Sequence, residues 1–126
     1  MEYTKLVLHP HGYHRCTFSS NEDILMISYL LIEVGCPGTS LDNWIFDDDQ
    51  GLETSGNRME LEKKGDYIYI GDMYDQRKIK RRLKISRRNL FDLFYNWQTK
   101  ICKKNPQPQE VIIKYENDIF TLETID

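Results

Sequence analysis

The chain has no run of about 18 or more consecutive apolar residues, so no membrane-spanning helix is expected. Its first residues, Met1 to Lys5, lack the basic region and apolar stretch of a secretory leader, so export is not expected either. Cysteine is scarce. Cys16, Cys36 and Cys102 are odd in number and show no CxxC spacing, which fits a reducing compartment better than a disulfide framework. The cytoplasm is the expected location, with each cysteine read as a small, partly buried hydrophobe. Catalytic signatures are missing too: there is no GxSxG, no GxxxxGK[ST] and no GxGxxG, and Cys16 lies near His14 only in sequence. No catalytic residue and no cofactor are expected, and the protein should show no hydrolase or nuclease turnover.

What is present is ordinary for a folded domain. With 126 residues, 40% of them hydrophobic, and two Trp, eight Tyr and five Phe, the chain suits one α+β domain, residues 1–126, with one core. Lys5 to His9 reads as a strand closed by Pro10 and Gly12. Ser19 and Glu22 have capping-box spacing ahead of a largely buried helix from Ile24 to Val34, ended by Gly35. From Cys36 to Gly65 turn residues such as Pro37, Gly38, Gly51, Gly56 and Asn57 recur too closely for long elements, so a long polar loop is expected, its Trp44, Ile45 and Phe46 pinning one end to the core.

Further on, Tyr67 to Ile70 reads as a strand. Ile79, Arg81, Leu83 and Ile85 alternate with Lys80, Arg82 and Lys84 as a second, and Asp72 and Asp75 are expected to pair across the hairpin. Ser86 caps a second helix whose Leu90, Phe94, Trp97 and Ile101 form one stripe. Val111 to Tyr115 and Ile119 to Glu123 then form a hairpin. The expectation is two helices on a mainly antiparallel sheet of about five strands.

The charge distribution carries the functional signal. Residues 40–75 hold ten acidic and three basic side chains, whereas residues 76–104 hold eleven basic and one acidic. The acidic block contains Asp42, Trp44, Phe46, Asp47, Asp48, Asp49 and Glu53, which combine carboxylates that steer a basic partner with aromatics that serve as desolvated anchors. These seven are the candidate partner-binding residues. DxDxDG spacing is missing, so calcium is not expected there. His9, His11 and His14 have HxHxxH spacing, but a tight turn would point them apart, and no metal site is assigned. The basic run Arg77 to Arg88, with Tyr67, Tyr69 and Tyr74 beside it, is the footprint of a nucleic-acid-binding module and forms the alternative reading. The neighbouring carboxylates can neutralise it, so nucleic acid is not the expected partner.

The segment from Leu83-Lys84-Ile85-Ser86 through Trp97 and Lys103-Lys104-Asn105-Pro106 to Glu110-Val111-Ile112-Ile113-Lys114 resembles a recurring pattern in small bacterial immunity proteins. In these a strand leads into a Ser-capped helix with a central Trp, a lysine-rich helix end and a β-hairpin. The resemblance implies a cognate inhibitor of a polymorphic toxin, such as a nuclease delivered by contact-dependent growth inhibition, acting by stoichiometric occlusion. It implies no catalytic residue.

Overall fold

The computed structural model describes residues 2–36 and 41–126; the expected Pro37-Gly38 turn lies outside the described residues. The elements in order are β1 (Glu2–Leu8), β2 (His14–Ser19), α1 (Glu22–Val34), α2 (Leu41–Trp44), β3 (Glu53–Ser55), β4 (Met59–Lys64), β5 (Tyr67–Asp72), β6 (Arg82–Ser86), α3 (Arg87–Trp97), β7 (Glu110–Glu116) and β8 (Ile119–Ile125). A 3-10 turn at Asp48–Gln50 follows α2, and a π turn at Gln98–Cys102 prolongs α3.

The α+β class stands, but the single sheet of about five strands is corrected to two antiparallel sheets of four, ordered β2-β1-β7-β8 and β3-β4-β5-β6. The extra strands come from segments whose alternation is masked. In β4 the inward positions are Met59, Leu61 and Lys63 and the outward ones Glu60, Glu62 and Lys64, so a lysine sits where an apolar residue would have signalled a strand. β2 is an edge strand with only His14 fully buried, and β3 has three residues. The expected strand from Ile79 begins only at Arg82. Ile79 instead stands 86% exposed on the β5–β6 loop.

Both helices lie between the sheets. α1 packs on β1, β2 and β7 of one sheet and on β4 and β5 of the other, while α3 packs on β8 and β6. That is why α1 buries Ile24, Met26, Ile27, Leu30 and Leu31 on nearly all sides. The buried side chains of both sheets and helices form one cluster. Asn89 ties α3 to β8 with two hydrogen bonds, accepting from Phe120 N at 2.8 Å and donating to Phe120 O at 2.7 Å.

Helix caps differ in one case. Ser86 Oγ accepts from Asn89 N at 3.0 Å, as its position predicts. For α1 the Ser19–Glu22 box does not form. Asn21 Oδ1 takes the cap, accepting from Asp23 N and Ile24 N at 2.8 and 3.1 Å. Ser19 instead donates to Asn21 O, and the Glu22 carboxylate turns to Arg77. Between β7 and β8, Asn117 and Asp118 both have positive φ, 54° and 63°, the requirement of a tight I′ hairpin turn.

The cysteine expectation is corrected as well. Cys36, just past α1, is disulfide-bonded to Cys102 at the end of the π turn, and Cys16 is the free thiol. The pairing withdraws the support that unpaired cysteines gave to a cytoplasmic location, since such bonds persist in oxidising surroundings. Among the described residues no helix is long and apolar enough to cross a membrane.

Trp97 is the keystone of the disulfide end. It is 3% exposed, and a Cβ built on Gly35 would sit 2.6 Å from its Cδ1 and also collide with the Leu31 carbonyl oxygen. Trp97→Ala should lower unfolding stability by about 3–5 kcal/mol. Gly35→Ala, which adds one methyl group, should also depress the melting midpoint measurably because one of its contacts is backbone. Thermal denaturation by circular dichroism tests both; an unchanged midpoint in either variant contradicts this packing.

Candidate functional site

The acidic segment is not a free loop, because it folds over a buried lysine. Lys63 lies on the inner face of β4, where strand geometry delivers its stem to the core, and its side chain is fully buried. Its ammonium sits 4.1 Å from the centre of the Trp44 ring and donates to Trp44 O at 2.7 Å and Asp47 O at 3.0 Å. The Asp48 carboxylate lies 3.5 Å away. Arg87, at the start of α3, reaches the same place, donating to Ile45 O at 3.2 Å and Asp48 Oδ1 at 2.9 Å. Two cations therefore hold the chain from Trp44 to Asp48 against the sheet and the helix.

This geometry divides the seven candidate residues. Trp44 is buried under the loop and unavailable to a partner. Phe46 corrects an expectation in the other direction: it does not pin the loop but is 52% exposed, leaning on Phe91 with ring centroids 5.6 Å apart. Asp42, half-buried on α2, accepts from Asn43 N and from Gln98 Nε2. Asp47 caps the 3-10 turn, accepting from Asp49 N and Gln50 Nε2, both at 3.0 Å. Asp48 is committed to Arg87 and Lys63. Their hydrogen bonds and positive charge, Arg87's first, hold its carboxyl below the ordinary 3.8 against the opposing effect of desolvation.

Asp49 and Glu53 remain exposed. Glu53 stands directly opposite Glu62 across β3 and β4, a like-charge pairing that is unfavourable by itself. Sequence reasoning missed three participants. Leu52, 54% exposed, joins Phe46 as an apolar element of the surface. Lys63 and Arg87 are the braces, and the only sequence signal for Lys63 was its period-two relation to Met59 and Leu61.

The basic block is largely neutralised. Arg77 pairs with Glu22 at 2.6 Å and Asp75 at 2.7 Å, Arg81 with Asp23 at 2.7 Å, Arg82 with Glu62 at 2.9 Å and Arg88 with Asp92 at 3.3 Å. Hydrogen bonds from the Arg77 side chain, then from the Arg77 and Arg81 backbone, push the Asp75 carboxyl far below the usual range. Asp75 thus pairs within its own loop, while Asp72 reaches back to Arg58 at 3.0 Å; neither makes the cross-hairpin pairing expected of it. Lys84 lies over the Tyr67 ring at 4.0 Å, and Arg82 and Lys64 lie near Tyr69. Those ring faces are already occupied. Lys78 and Lys80 are exposed on the β5–β6 loop.

The histidines diverge. His14 is buried, its Nε2 2.8 Å from Pro108 O and its ring edge-on to Trp97. His9 stacks between His11 and Tyr13 at the surface. Among the described residues no group of three or more His, Cys, Asp or Glu side chains is placed to hold a metal.

The brace makes a prediction. Lys63→Met keeps the apolar stem but removes the ammonium donor, leaving Trp44 O only Asp47 N and Asp47 O only Gln50 N, so stability should fall by about 1.5–3 kcal/mol, the range for a hydrogen bond to a charged group. Amide hydrogen exchange from Ile45 to Leu52 should accelerate more than elsewhere. Uniform exchange with an unchanged melting midpoint contradicts the brace. The pH dependence has a fixed sign. Because the folded Asp48 carboxyl is depressed, its contribution is present above the unfolded value of about 4 and is lost as pH falls through the folded one. Asp48→Asn should therefore flatten the acid limb of stability below about pH 4; an acid limb identical to wild type contradicts the assignment.

Comparison with known proteins found no matching family model, no matching curated protein and no matching solved structure.

Proposed function

We propose that the protein is a stoichiometric binder that neutralises a cognate toxin domain, with the braced acidic loop as its contact surface. The observation that carries the reading is the fixed exposure of Phe46 and Leu52 beside Asp49 and Glu53. Large apolar side chains on a loop ordinarily turn inward. Here the loop backbone is held by Lys63 and Arg87, so the exposed pair is presented without an ordering penalty at binding. Flanking carboxylates suit a basic surface such as the substrate channel of a nuclease, where they would take the place of phosphates.

The immunity-protein resemblance of the segment from Leu83 to Lys114 supports the same class of action, without turnover and without a cofactor. The rival nucleic-acid reading loses ground because Arg77, Arg81, Arg82, Arg87 and Arg88 all have carboxylate partners. Generic RNA or DNA should accordingly bind more weakly than the roughly 10⁻⁴–10⁻⁶ M of non-specific binders at physiological salt.

The test uses a basic toxin domain encoded next to this chain. A one-to-one complex is expected by light scattering, with protection of cells that express the toxin. Phe46→Ala with Leu52→Ala should weaken binding by at least about 2 kcal/mol, as for anchor residues. Asp49→Asn with Glu53→Gln should slow association and reduce its salt dependence. Failure to bind or protect removes the toxin reading. Wild-type affinity in the Phe46/Leu52 double variant removes the loop.

A further inference from the structure

Behind the loop lies an open groove of about 730 Å³, between Phe46 and Leu52 on one side and the β4–β5 turn and the start of α3 on the other. Its size falls in the range of ligand-binding clefts. The lining has an unusual charge composition for a surface beside an acidic segment: Lys63, Lys64, Arg87 and Arg88 face only Asp48 and Asp66. Asp48 is already shared by Lys63 and Arg87 at the groove floor.

Two features concentrate positive charge at the rim. Arg87 and Arg88 open α3, whose first turn has no acidic residue, although the N-terminal end of a helix carries partial positive charge and favours anions there. Lys64 and Arg88 are side-chain exposed at 57% and 75%, and their partners, Glu62 and Asp92, stand at 3.7 and 3.3 Å. A groove with one apolar wall, Phe46 and Leu52, and a cationic rim is complementary to a chain that alternates carboxylates with apolar side chains.

We propose that this groove docks an acidic, apolar peptide segment of a protein partner, the apolar side chains lying between Phe46 and Leu52 and the carboxylates meeting Lys64, Arg88 and the start of α3. Its open shape suits an extended segment better than an enclosed small molecule. Such a segment would relieve the repulsion between the two arginines and the helix dipole. The groove shares Phe46 and Leu52 with the contact proposed for the toxin, and a peptide assay without the toxin keeps a failure of one reading distinguishable from a failure of the other.

The probe is an acetylated, amidated hexapeptide alternating Glu with Phe and Leu, titrated into the intact ¹⁵N-labelled protein and followed by amide chemical shifts. Expected are shifts confined to Phe46, Leu52, Gly65, Ser86 and Arg88. The same peptide with Gln for Glu should bind at least about ten-fold more weakly, the discrimination that one lost charge contact of about 1.4 kcal/mol gives. Lys64→Glu with Arg88→Glu, both at exposed positions, should abolish binding while leaving the remaining amide spectrum in place. If that variant misfolds, Lys64→Gln with Arg88→Gln replaces it, with a ten-fold loss expected. No shifts at millimolar peptide, equal binding of the Gln peptide, or shifts that persist in the charge variants would overturn the proposal. So would a single-stranded oligonucleotide that shifts the same amides more strongly than the peptide.

Discussion

Two sheets bury their inner faces against the same pair of helices, and this shared layer constrains everything else. A helix lying on one sheet needs one apolar stripe. α1 touches both sheets, so Ile24, Ile27, Leu30 and Leu31 must face opposite directions and all be fully buried. Small polar side chains in this layer are satisfied locally. Ser28 donates to Ile24 O at 2.8 Å, and Thr4 shares a hydrogen bond with Ser19 at 2.7 Å. The outer sheet faces are left to water and to ion pairs such as Lys5–Glu110 and Lys114–Glu123.

The same constraint explains Lys63. Its position points into the layer, yet the space above it is filled by the end of α2 and the turn after it, whose carbonyls each accept one backbone hydrogen bond, Trp44 O from Asp47 N and Asp47 O from Gln50 N, and keep a second lone pair. A buried ammonium satisfies two of them and stacks on Trp44. Two needs are met together: the charge is solvated by protein dipoles, and the loop is fixed. The acidic surface is therefore shaped from beneath, and its exposed apolar pair follows from where the brace ends.

Legibility in the sequence followed the strength of local signals. The stripe of Leu90, Phe94, Trp97 and Ile101, the Ser86 cap and the hairpin around Asn117 and Asp118 were readable because each is written within a few residues. β3 and β4 were not, because β3 is three polar residues and in β4 only Met59 and Leu61 mark the period, the third inward position being a lysine. The α1 cap departs from the Ser19–Glu22 spacing because Ser19 is engaged with Thr4 and with Asn21 O, which leaves the cap to Asn21 two residues on. The disulfide joins residues 66 apart, and an odd cysteine count holds no pairing information. In the site, the seven candidates lay in the right segment, but which of them face a partner depended on Lys63 and Arg87, and Arg87 lies 39 residues from the aspartate it binds.

Opposite charge blocks in sequence do not become opposite charged faces by default. Most of the arginines in the basic block find a carboxylate nearby, Arg77 and Arg81 on α1 and Arg82 on β4, so the blocks largely cancel at short range. What survives is a residue-scale pattern on one sheet. Glu53 marks the β3 edge and Lys84 the β6 edge, with Tyr69 between them. Since strands lie roughly 4.8 Å apart, four of them separate the two edges by more than the Debye length of about 8 Å at physiological salt. A partner approaching one edge therefore feels little of the other. The acidic loop and the cationic groove, by contrast, share Phe46 and Leu52, so they form one recognition face on which the local balance of Asp49 and Glu53 against Lys64 and Arg88, and not the net charge of the protein, selects what binds.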